Sequence, residues 1–131
     1  MFRDDALTRS IEQLGQAVTR VVELLDQQRG DDAEREITSA ERVLGVPPGL
    51  DRIDAASAAM MLGGGDRVVL VASLLDLRAR SAAARGAAAD AARHRARAQA
   101  LLDHATPVGL AQEAGELRER LTASRASRPK P

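Results

Sequence analysis

Two histidines, His94 and His104, are the chain's only imidazoles. They sit ten residues apart on one helix-forming stretch, so they fall on different turns and on faces that do not coincide. A helical zinc site needs two imidazoles at i and i+4, and this pair does not supply them. There is no cysteine for a thiolate site or a disulfide. No Glu-x-x-His pair occurs, which argues against a di-iron bundle. The serines Ser10, Ser39, Ser57, Ser73 and Ser81 lie outside any nucleophile-elbow context. Gly63-Gly64-Gly65-Asp66 is glycine-rich, but no strand precedes it and no Gly-Lys-Ser/Thr follows, so it lacks the phosphate-loop pattern. Asp66 also puts a negative charge where an anion would sit. No catalytic residue, metal or cofactor is expected.

The remaining chemistry belongs to arginine. Arg78, Arg80, Arg85, Arg93, Arg95 and Arg97 gather around the Arg85-Gly86 bend. Guanidinium groups bind carboxylates and phosphates bidentately, so this cluster is the candidate partner-binding surface. The alternatives are a solvated helical tip neutralised by the chain's own acids, or an acidic peptide or protein docked there. Nucleic acid is disfavoured, because stacking needs aromatic rings and the chain has one Phe and no Tyr or Trp.

Net charge is zero but unevenly spread. Residues 1–66 carry 13 acidic and 7 basic side chains, and residues 67–131 carry 6 acidic and 12 basic. Such a chain can pair its own halves, pair with a second copy, or meet an acidic partner. A 44% apolar share with 29% charge belongs to a folded domain. The apolar share is mostly Ala, Leu and Val, which predicts a thin core of closely approaching helices. No apolar run reaches the ~18–20 residues that span a bilayer. The opening Met1-Phe2-Arg3-Asp4-Asp5 has no apolar signal region. Together with the lack of cysteine, this places the expected site in the cytoplasm.

The elements that position the arginines are all helical. A first helix is expected from about Asp4 to Gln28, with Leu7, Ile11, Leu14, Val18, Val21 and Leu25 as a narrow heptad seam. That seam serves either a bundle or a homodimer. Arg29-Gly30-Asp31-Asp32 is a turn, capped by Asp31 or Asp32. A second helix then runs from about Ala33 to Leu44 on the stripe Ala33, Ile37, Ala40, Val43 and Leu44. Glu34, Glu36 and Glu41 read as a solvated face paired with Arg35 and Arg42. Gly45-Val46-Pro47-Pro48-Gly49 breaks the chain. A short helix, about Asp54 to Leu62, offers Ala55, Ala58, Ala59, Met61 and Leu62 as core filling, with its methionines as adaptable packing or a soft binding patch.

The densest apolar run follows. A helix is expected over about 67–85, with Val68, Val71, Leu74 or Leu75, Ala79 and Ala82 buried. After Gly86 another runs over about 87–105 in a seam of Ala87, Ala91, His94, Ala98, Leu101 and Ala105. Thr106-Pro107 opens a short C-terminal helix with Leu110, Ala114, Leu117 and Leu121. The expected organisation is one all-α domain over 1–123, a helical bundle of two antiparallel hairpins with a short connecting helix and a short C-terminal helix. A disordered basic tail is expected over 124–131.

The stretch 66–105 resembles a tetratricopeptide (TPR) unit: with Gly86 as the turn glycine, Leu75, Ala79, Ala91, Ala98 and Leu101 meet its small or apolar positions. Arg78, Ala82, Arg95 and Asp103 depart from that pattern, so the unit is degenerate. A weaker match covers 18–43, with Ala33 and Ala40 at small positions. The chain to about Ala105 is also similar to a family of small uncharacterised bacterial proteins. The shared features are Met1, Phe2, Asp5, Arg9, Ile11, Glu12 and Gln13, then the Leu-Gly-x-Pro linker and the TPR-like hairpin. That resemblance implies no known activity. The functional expectation is a non-enzymatic helical adaptor or scaffold for a protein partner with an acidic surface. A self-assembling homodimer through the first helix or the 87–105 helix is the alternative, with a His94-based ligand binder or enzyme behind it.

Overall fold

The computed structural model describes residues 2–63, 65–105 and 119, and side chains from Thr8 onward. The expected helix at 110–121 and tail at 124–131 lie outside the described residues, as do the side chain of Leu7 and Gly64. The described chain is helical: α1 (Phe2–Asp26), α2 (Gly30–Val43), α3 (Ala55–Leu62), α4 (Gly65–Ala84) and α5 (Ala88–Asp103), with a 3₁₀ turn at Leu50–Arg52. No helix among the described residues is long and apolar enough to cross a membrane.

Helix α4 organises the rest. It contributes Val68, Val69, Val71 and Ala72 to one apolar cluster and Leu70, Leu74 and Leu77 to another. The first cluster is completed by Leu50, Ala58, Leu62, Ala98, Leu101, Leu102 and Ala105, from the 3₁₀ turn, α3, α5 and the residue after the α5 cap. The second is completed by Leu14, Val21, Ala33 and Ile37, from α1 and α2. A one-sided stripe was expected on this helix, whereas Val68 through Leu74 are all buried. Helices with apolar residues all round are buried ones.

Three helix ends share one chemistry. At α4, Gly86 takes φ +79 while Ala87 N–H donates to Ala82 C=O (2.9 Å) and Gly86 N–H to Ala83 C=O (3.1 Å). This is a Schellman closure, which satisfies carbonyls that the helix end would otherwise leave bare. Gly45 closes α2 the same way, through Val46 N–H to Glu41 C=O and Gly45 N–H to Arg42 C=O. At α1 the left-handed position is filled by Gln28, at φ 59. Helix α1 therefore ends at Asp26, two residues before the expected end. Helix α2 begins at Gly30, so Asp31 and Asp32 lie in its first turn rather than capping it. Asp54 caps α3, accepting from Ser57 N–H (3.0 Å) and Ser57 Oγ–H (2.8 Å). Those bonds, the backbone one first, hold its carboxyl below the ordinary 3.8.

Two expected core residues face outward. Val43 is 60% exposed, and Met61 is 60% exposed beside Met60 at 82%. On the short α3, Ala58 and Leu62 take the inward positions, which turns the methionines away. The seams offered as dimer surfaces are used within the chain. Leu14 and Val21 pack against α2 and α4, and Ala91, Ala98 and Leu101 are buried on α5.

Truncating Leu74, which is 1% exposed, to Ala is expected to cost about 3 kcal/mol in urea unfolding. Met60→Ala should stay within about 0.5 kcal/mol of the parent. Gln28→Gly should gain up to about 1 kcal/mol by relieving a left-handed backbone that glycine accepts freely; a loss in the same measurement would show that the Gln28 side chain matters more than its φ.

Candidate functional site

The structure brings five of the six candidate arginines into contacts within the chain. Arg78, with a side chain only 20% exposed, donates to Glu34 at 2.7 Å, to Glu41 through its other terminal nitrogen, and to Thr38 Oγ1 at 3.3 Å. Arg85 reaches the second oxygen of Glu34 at 3.0 Å and lies 3.9 Å from Asp90. Arg93 donates to Asp90 at 2.8 Å. Glu41, Arg78, Glu34, Arg85, Asp90 and Arg93 thus form one alternating ladder from α2 across α4 and its turn to α5. Arg80 pairs with Asp76 within α4 at 3.2 Å. Arg97 donates to Leu50 C=O at 2.8 Å and anchors the 3₁₀ turn. Arg95 alone among the six makes no hydrogen bond or ion pair among the described residues, and it is half-buried.

The glutamates of α2 are therefore not paired with Arg35 and Arg42 of their own helix. Glu34 and Glu41 turn to α4, and Glu36 bridges to Arg20 of α1 at 3.3 Å. Arg35 is held by Asp32 instead. The signal lay in the spacing: Glu34 and Glu41 are seven residues apart, as are Arg78 and Arg85, and seven residues return a helix to one face. Arg67, outside the expected set, caps the end of α2 by donating to Leu44 C=O (3.1 Å) and Gly45 C=O (3.2 Å).

His94 is half-buried on α5 and His104 is exposed at its end. Burial first, then Arg93 and Arg78, push the His94 imidazole below its ordinary 6.5, against the opposing pull of Asp90 and Glu34. The same two guanidinium charges oppose the binding of a cation at His94. Among the described residues no group of three His, Asp or Glu side chains is arranged to hold a metal ion.

Two shallow depressions run between α1 and α2. One, of about 200 Å³, is lined by Leu14, Ala17, Ala40, Val43 and Leu44 with Arg20 and Glu36 at its rim. The other, of about 600 Å³, is charged, with Arg29, Asp32, Arg35 and Glu23 around it. Ser81 is the one buried hydroxyl among the described residues that finds no partner, whereas Ser73 donates back to Val69 C=O at 3.0 Å.

A scan of family models, a search of curated proteins and a search of solved structures return no match to the chain.

Replacing Arg78 with Ala leaves the part-buried Glu41 without its ion-pair partner and Glu34 with Arg85 alone. The expected cost is about 1–2 kcal/mol, between exposed and buried ion pairs. Ser81→Ala should be neutral or stabilising by up to about 1 kcal/mol, since it removes a desolvated hydroxyl that bonds to nothing. A clear loss on Ser81→Ala, read by urea unfolding, would mean that the hydroxyl has a partner in solution.

Proposed function

We propose that the chain is a non-enzymatic adaptor or scaffold whose α5 face docks a protein partner with an acidic surface. In this reading the helices form a bundle of two antiparallel hairpins, α1–α2 and α4–α5, the second TPR-like. The short turns at 27–29 and 85–87 and the packing of α1 on α2 and α4 on α5 support it. The observation that carries the docking surface is Arg95. It is the arginine of the cluster whose charge nothing in the described chain neutralises, and its neighbour Arg93 is 71% exposed and held only by Asp90 of the preceding turn. An i,i+3 pair on an exposed helix is worth only a few tenths of a kcal/mol, so an incoming carboxylate can displace it. Arg78 and Arg97 drop out of the docking set, because their donors serve α2 and the 3₁₀ turn.

Self-assembly is the second reading. The exposed Val43, Met60 and Met61 favour it, as does the shallow apolar depression beside Val43. It no longer draws on the α1 and α5 seams. A cytoplasmic setting fits both readings, through the absence of cysteine.

Binding to poly-L-glutamate, followed by fluorescence anisotropy, tests the α5 face. Arg93→Glu/Arg95→Glu is expected to weaken it about tenfold or more, roughly 1.4 kcal/mol. Equal affinity of parent and variant would sink the α5 surface. Sedimentation at rising concentration separates the readings, since a monomer at every concentration rules out self-assembly.

A further inference from the structure

We propose that the junction of α4 and α5 is an acid-sensitive clasp, in which a proton taken up by His94 loosens the start of α5 from the turn after α4. The inference stands apart from the adaptor reading and needs no partner.

The ladder at this junction is balanced. Arg78, Arg85 and Arg93 face Glu34, Glu41 and Asp90, three cations against three anions. Every carboxylate is in use. Glu34 divides its two oxygens between Arg78 and Arg85, Glu41 holds the far side of Arg78, and Asp90 divides its oxygens between Arg85 and Arg93. The Arg85–Asp90 rung, 3.9 Å long between side chains 48% and 40% exposed, is the weak one, while Arg78 is 20% exposed and Glu34 and Glu41 about 30%. Charges at the Arg78 end interact more strongly than on an open surface.

His94 lies one turn beyond Asp90 on α5, so it projects on the same side as that carboxylate, and it follows Arg93 directly. The charges of Arg78 on α4 and Glu34 on α2 also act on it, the first disfavouring and the second favouring its protonation. On its own helix Arg93 and Asp90 act on it, with Arg95 and Arg97 following. A protonated His94 would be a fourth cation at a junction with no spare anion. It has two ways to be satisfied: drawing Asp90 from Arg85 and Arg93, or leaving the junction for water. Either breaks the rung that joins α5 to the α4 turn.

The direction with pH follows. A histidine held below 6.5 in the fold binds its proton more readily in the unfolded chain. The stability it contributes is complete above about pH 6.5 and is lost as pH falls through the folded value.

Thermal unfolding of the full chain, followed by circular dichroism at low salt, tests this between about pH 7.5 and about pH 5, where histidine titrates and most carboxylates stay ionised. The parent Tm is expected to fall by several degrees over that range. His94→Gln should lose less than half as much and exceed the parent at the acid end. His104→Gln should track the parent. Parallel pH dependence of the parent and His94→Gln overturns the clasp, and so does a His104→Gln variant that abolishes the drop. On the unsubstituted chain, an NMR titration of the His94 ring should give a midpoint below 6.5 and faster amide exchange at Ala91–Arg95 on the acid side. A midpoint at or above 6.5 overturns the proposal whatever the variants do.

Discussion

The fold depends on one helix being apolar on two sides. α4 gives its valines and Leu75 to α3 and α5 and Leu70, Leu74 and Leu77 to α1 and α2, so both clusters are built on it. Val46, in the linker after α2, packs against both. The two clusters therefore share a backbone, and a shift of α4 that improves one packing strains the other. Small residues make the arrangement possible. Ala72, Ala79 and Ala82 on α4, and Ala91 and Ala98 on α5, are almost fully buried and let the two helices approach closely. An aromatic-poor composition is thus no sign of a weak core. It reflects helices packed at short range, with little room for rings.

Electrostatics completes what the apolar contacts begin. The acidic first half and basic second half meet where Glu34 and Glu41 hold Arg78 and Arg85, so part of the uneven charge of the sequence is matched inside the molecule. Such pairs add little to stability by attraction alone, since each partner gives up water to join. Their larger effect is on arrangement. A carboxylate serving two guanidinium groups fixes how far α2 and α4 can slide, and Glu34 does this for Arg78 and Arg85.

Much of the fold was legible in residue spacing. Gly86 and Gly45 mark helix ends because a left-handed residue is needed there, and the stripe Val68, Val71, Leu74, Ala79, Ala82 is buried as its period implies. The second face of α4 was not legible. Periodicity assumes that one side meets water, and Val69, Leu70 and Leu77 fall outside a single stripe. Val43 and Met61 went the other way, because a helical period narrows an apolar face without saying where its edge lies. The start of α2 was misplaced for a local reason: Asp31 and Asp32 suit a first turn as well as a cap. The arginine cluster was visible as a concentration of charge. Its partners were not, because Glu34 and Glu41 are some forty residues away and equally able to pair along their own helix.

The linker between α2 and α3 is held by its main chain. Arg67 grips the carbonyls of Leu44 and Gly45, and Arg97 grips that of Leu50. A guanidinium bound to a carbonyl oxygen is indifferent to the side chain on that residue. Substitution is therefore cheap where the linker side chain is exposed, as at Pro48. Insertion is a different matter. One added residue would carry the Leu50 carbonyl away from Arg97 while Arg67 still held the other end, so the linker tolerates changes of letter far better than changes of length.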